Sequence, residues 1–109
     1  MFVAMNRFQI RPGQEEAFET IWRERESHLQ SMDGFQSFHL LRGPESEEHT
    51  LFISHTIWAS KQHFEDWTRS EAFRQAHKNA GGARNNIYLG HPNFEGYSLV
   101  EGTEEYAKA

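Results

Sequence analysis

The sequence predicts an α+β fold of element order β-α-β-β-α-β, in which a four-stranded antiparallel sheet carries two helices on one face, the ferredoxin-like arrangement. Three observations lead there. Period-two alternation of apolar residues marks four segments, helical spacing marks two stretches between them, and Gly, Pro and Asp breakers separate one kind from the other. The 109-residue chain, 37% hydrophobic and with 8 glycines, has the length of one ordinary domain and the apolar share to build its core. Its 9 Phe, 3 Tyr and 3 Trp supply large surfaces for burial, which argues against wholesale disorder.

The first expected strand is Phe2 to Ile10, with Phe2, Ala4, Phe8 and Ile10 on one face and Val3 and Met5 on the other. Arg11-Pro12-Gly13 breaks it. A helix follows from about Gln14 to Gln30, with Glu15 and Glu16 in its first turn and Phe18, Ile21, Trp22 and Leu29 at helical spacing. Asp33-Gly34 ends that helix and opens a second strand, Phe35 to Arg42. Gly43-Pro44 and the polar turn Glu45 to Glu48 lead to the return strand, Thr50 to Trp58. Ser60 is an expected N-cap for a helix through Phe64 and Trp67, and Ser70 caps a second short helix through Ala72 and Phe73 that Gly81-Gly82 stops. Ala83 to Pro92 reads as a mobile loop, longer than the usual ~4–6 residues. The last strand runs from Asn93 to Val100, which sets the folded unit at residues 1–100, with a polar tail from Glu101 to Ala109.

Two helices cover one sheet face and leave the other bare. Val3 and Met5 project there, and an apolar sheet face points to association, most simply a symmetric dimer packed sheet on sheet.

Eleven basic against sixteen acidic side chains give a net charge of −5, which lacks the positive surplus that nucleic acid demands. No apolar run approaches the ~20 residues of a membrane span, and no basic leader with a long apolar stretch opens the chain, so a cytoplasmic location is expected. With no cysteine, disulfides, thiolate metal sites and thiol nucleophiles are excluded. Metal chemistry would rest on the 7 histidines. His28, His39, His49, His55, His63 and His91 show no shared ligand spacing, and no Ser-His-Asp set, phosphate-binding loop or dinucleotide fingerprint is visible.

Asn6 is the first anomaly, because its amide falls on the same strand face as Phe2, Ala4, Phe8 and Ile10. Either it bonds a neighbouring loop or buried water, or it is a donor aimed at a ligand. Trp67 and His77 stand ten residues apart across the Ser70 joint, and their spacing alone does not place them at one cavity. Taken singly, Trp67 reads as a core aromatic beside Phe64, and His77 as a capping or surface group. The stripe Ala72, Phe73, Ala76, His77 and Ala80 nevertheless puts the histidine beside small residues that would let a flat ligand approach.

Asn6-Arg7, Gly34-Phe35 and the run Ile57-Trp58-Ala59-Ser60-Lys61-Gln62-His63-Phe64-Glu65-Asp66-Trp67-Thr68-Arg69-Ser70-Glu71-Ala72-Phe73-Arg74-Gln75-Ala76-His77 together resemble the antibiotic biosynthesis monooxygenase (ABM) superfamily over residues 1–100. Within it the chain is similar to the haem-degrading monooxygenases of the staphylococcal and mycobacterial type. Trp58, Ser60, Phe64, Trp67 and Phe73 follow the general superfamily pattern, and the combination of Asn6, Trp67 and His77 is the specific part.

That resemblance implies a dimeric α+β barrel that binds haem, with His77 as the proximal iron ligand, Trp67 pressing on and buckling the macrocycle, and Asn6 hydrogen-bonding on the distal side. It also implies Arg25 near a haem propionate, against the plainer reading of a surface arginine lying along the Phe18, Ile21 and Trp22 side of its helix. The implied chemistry takes haem as both substrate and cofactor, with dioxygen and electrons from an external reductant or reductase, and releases iron and a linear tetrapyrrole. Two alternatives share the cavity: a cofactor-independent monooxygenase acting on aromatic phenols or quinols, and a non-catalytic haem-binding protein.

Overall fold

The computed structural model describes residues 1–25, 28–77 and 84–103. Four strands, β1 (Phe2–Ile10), β2 (Phe35–Glu45), β3 (Thr50–Trp58) and β4 (Asn93–Ser98), form one antiparallel sheet in the order β2-β3-β1-β4. Helix α1 (Glu15–Glu24) crosses between β1 and β2, while α2 (Lys61–Thr68), α3 (Glu71–His77) and a single turn, α4 (Arg84–Ile87), lie between β3 and β4. This is the expected ferredoxin-like α+β fold.

The element boundaries show where local chemistry decided the structure. Ser60 caps α2, its Oγ accepting the His63 N–H at 3.2 Å, and Ser70 Oγ accepts the Phe73 N–H at 3.1 Å to start α3, as the sequence predicts. Gly34 holds φ +82°, and a Cβ there would overlap the His63 ring, so only glycine fits this approach to β2. The first helix is shorter than expected. It ends at Glu24 because Arg25 takes an extended backbone, and the expected reach to Gln30 is replaced at Leu29–Ser31 by a 3-10 turn that follows His28 in the left-handed conformation. Strand β2 runs on to Glu45 through an irregular register at Arg42/Glu45, and β4 stops at Ser98. The segment read as a loop contains α4, anchored by the buried Ile87 and by an isolated bridge between Tyr88 and Ile10. Gly81-Gly82, Ala80 and residues 104–109 lie outside the described residues.

Burial follows the alternation. One sheet face packs against the helices in two separate clusters: Phe8, Ile10, Phe18, Phe52 and Ile87 under α1, and Phe2, Ala4, Leu29 and Trp58 with Phe64 and Trp67 under α2. Trp58 and Phe18 are fully buried, and each such side chain contributes roughly 1.5–3 kcal/mol of transfer free energy. The boundary between the clusters falls in β1 between Ala4 and Phe8, which is where Asn6 sits. The opposite sheet face presents Val3, Met5, Ile53 and Ile57, with Leu41 44% and Tyr97 48% exposed. Among the described residues no helix is long and apolar enough to cross a membrane.

Candidate functional site

Where the two core clusters part, the helix-covered side of the sheet opens into a cavity of about 350 Å³, within the ~300–1,000 Å³ range of small-molecule sites. Its floor is the sheet, with Ala4, Asn6 and Phe8 from β1 and Ser54 and Thr56 from β3. Trp22 and Arg25 at the end of α1 form one wall, and Trp67, Phe73, Ala76 and His77 from α2 and α3 form another. Asn6 from β1, Arg25 just after α1, Trp67 from α2 and His77 from α3 thus line one hollow.

The joint at Ser70 brings Trp67 and His77 together. Ser70 Oγ donates to the Trp67 carbonyl at 2.6 Å, ending α2 and turning the chain so that α3 returns past the indole. The Trp67 and Phe73 rings meet edge to face at 4.7 Å, Phe73 lies against the His77 ring at 4.0 Å, and Trp67 and His77 centroids are 6.1 Å apart. His77 Nδ1 lies 2.7 Å from the Phe73 carbonyl. A carbonyl can only accept, so Nδ1 carries the proton and the lone pair of the neutral ring is on Nε2. A backbone partner of this kind is what orients imidazole when its other nitrogen ligates a metal.

Arg25 owes its place to the early end of α1. Its Nε donates to the Ala76 carbonyl at 3.0 Å, and its guanidinium stacks 4.5 Å from the centre of the Trp22 ring, a contact worth ~0.5–2 kcal/mol. Burial pulls this guanidinium below its ordinary value, with nearby Tyr88 acting in the other direction, yet an arginine remains cationic at neutral pH. Among the described residues no carboxylate forms an ion pair with it. It is a desolvated cation at the cavity wall, suited to a ligand carboxylate.

On the floor, Asn6 is half-buried and its carboxamide has no hydrogen-bond partner among the described residues. Among the described residues no loop supplies a partner for this amide. Thr56 Oγ1 donates to the Ala4 carbonyl at 3.1 Å. Two of the buried side-chain N–H groups left without a partner among the described residues, Trp22 Nε1 and Trp67 Nε1, also belong to cavity-lining residues; such unmet donors call for an explanation in a native fold. No group of three or more His, Asp or Glu among the described residues could hold a bare metal ion.

Sequence reasoning passed over Ser54, Thr56, Phe38, Phe94 and Tyr88, all of which line the cavity. A signal existed for the first two. Ser54 and Thr56 alternate in register with Phe52 and Trp58, the inward residues of β3, so they are polar residues on an apolar face in the same sense as Asn6.

Comparisons with known proteins bear on this fold and its site. The family model described as antibiotic biosynthesis monooxygenase matches residues 1–79. A staphylobilin-producing haem oxygenase of Staphylococcus haemolyticus is 28% identical over 79 residues, covering 72% of this chain and 75% of that protein. The structure of the haem-degrader MhuD of Mycobacterium tuberculosis, with two haems bound in its active site, superimposes with a TM-score of 0.70 at 26% identity, over 92% of this chain and 96% of that one. SnoaB, a cofactor-independent oxygenase from Streptomyces nogalater, shares the fold with a TM-score of 0.66 at 14% identity, over 94% and 96% of the two chains. Since the family model takes in residues 1–79, from β1 through α3 and well over half of the chain, the chain belongs to the antibiotic biosynthesis monooxygenase family.

Proposed function

We propose that this chain is a haem-degrading monooxygenase whose substrate occupies the cavity between the sheet and helices α1 to α3. The observation that carries the reading is the convergence of His77, Trp67, Asn6 and Arg25 on one hollow. The similarity to the staphylococcal haem oxygenase and to haem-loaded MhuD supports it.

The residues present fit haem. Trp67, Phe64, Phe73 and Phe94 give the cavity flat aromatic walls, His77 offers an imidazole whose Nδ1 is committed to a backbone carbonyl, and Arg25 supplies a cation that no carboxylate among the described residues pairs. When bound, haem supplies the iron that activates dioxygen and is itself the molecule oxidised, with electrons from an external reductant and with iron and a linear tetrapyrrole as products. In this reading His77 holds the group through Nε2, and Arg25 takes a propionate. Trp67, packed against Trp58 at 5.6 Å and Phe73 at 4.7 Å, would press its indole against the bound ring. Asn6 presents its amide on the floor, where it orients an oxygen atom of the reacting complex.

Trp67→Ala is expected to bind hemin while flattening it, which resonance Raman marker bands or the spread of haem methyl NMR shifts would report. Equal buckling without the indole would remove Trp67 from that role. The bare sheet face is read as the seat of a second copy of the chain, making a homodimer. Sedimentation at micromolar concentration is expected to give twice the 12.8 kDa chain mass, and a species of single mass would contradict it.

The aromatic walls also suit a smaller flat substrate, which keeps a second reading open: oxidation of a phenol or quinol without cofactor. Haem-free protein turning over hydroquinones, with no dependence on His77, would favour it. A haem carrier without catalysis would instead keep haem intact in the presence of reductant and oxygen.

A further inference from the structure

The cavity floor contains a second unmet polar group that the reading above does not use. Ser54 is 7% exposed and lines the cavity, and its hydroxyl has no hydrogen-bond partner among the described residues. It stands directly opposite Asn6 in the β1/β3 register. Directly opposed residues have Cβ atoms ~4.5–5.5 Å apart on the same face, so the two short polar side chains can reach one common atom.

The surroundings make this pair stand out. Its neighbours along the two strands are Ala4 and Phe8 on β1 and Phe52 and Thr56 on β3, and the only hydroxyl among them is already spent on the Ala4 carbonyl. The Ser54 hydroxyl opens onto the cavity rather than being sealed in the core, so it is available to a ligand, whereas alanine or valine at this position would leave the floor apolar. Two unpartnered polar groups facing each other at the seam between the core clusters are the composition of a binding point.

We propose that Ser54 and Asn6 form a two-point hydrogen-bonding site that fixes a single acceptor atom, an oxygen, of whatever ligand fills the cavity. Asn6 offers its NH₂ and Ser54 its O–H, and the hydroxyl can turn to donate where the amide cannot. Two donors converging on one acceptor restrict its position in two directions, so Ser54 sets where that oxygen lies. The site serves either ligand chemistry, a small ligand placed beside bound haem or the oxygen of a phenol. The first rests on the haem reading and the second does not.

The test compares Ser54→Val with Ser54→Thr, which are equal in shape and differ in a methyl against a hydroxyl. In ferric-haem-loaded protein, azide serves as the acceptor probe, its nitrogen standing in for the ligand oxygen. Ser54→Val is expected to weaken azide binding ~3- to 10-fold while Ser54→Thr stays near wild type, and hemin affinity is expected to be the same in all three. Equal azide affinities in three proteins that all bind hemin would overturn the inference and leave the haem reading standing. Should wild-type protein fail to bind hemin, the haem reading falls, and the same variants are compared by titrating haem-free protein with hydroquinone. A weaker complex in Ser54→Val alone then supports the two-point site, and equal affinities overturn it.

Discussion

His77→Ala is expected to abolish the specific Soret shift that hemin gives with the wild-type chain, lowering affinity at least ~100-fold. The magnitude follows from the chemistry of ligation: loss of a residue that merely orients a metal ligand already costs ~10–100-fold, and here the ligand itself goes. Among the described residues that line the cavity no second histidine stands ready to take over. The fold is expected to survive, because His77 is exposed at the last residue of α3 and its ring bonds a carbonyl of its own helix. Circular dichroism and thermal melting should therefore match wild type, which separates a lost ligand from a lost structure. An unaltered Soret shift in the variant would show that imidazole 77 does not hold the group.

Asn6→Ala is expected to do the reverse, binding hemin within a few-fold of wild type while slowing its oxidation by about 10²-fold, the usual cost of removing one aimed donor from a reacting centre. The same substitution should leave the melting temperature unchanged or raise it. An amide with no partner among the described residues contributes no hydrogen bond within the fold that its removal would break. A structural amide would behave otherwise, with stability falling and turnover intact. Following hemin loss under air with ascorbate, beside a melting curve, distinguishes the two. Wild-type turnover would take Asn6 out of the mechanism.

How far the sequence carried the reading can be seen residue by residue. Asn6 was visible because β1 alternates cleanly, so one amide among Phe2, Ala4, Phe8 and Ile10 had no apolar explanation. Ser54 and Thr56 were hidden by the opposite situation. Their strand also carries Leu51, Ile53 and Ile57 on its outer face, so apolar residues occupy both sides and alternation loses its direction. Arg25 stood out only through family resemblance, since nothing local announces that its backbone turns extended at the end of α1 and lets its side chain reach Ala76 from 51 positions away. Short helices were read where serine caps them, at Ser60 and Ser70, whereas α4 has one buried apolar residue, Ile87, and its signal is tertiary. The meeting of Trp67 with His77 required the turn geometry at Ser70, which spacing does not encode.

The most direct measurement is mass analysis of the pigment formed when hemin-loaded protein is given reductant under air, with a chelator present to report iron. The account predicts a ring-opened, oxygenated tetrapyrrole and chelated iron in matching amounts. Haem recovered whole, with no iron in the chelator, would contradict it.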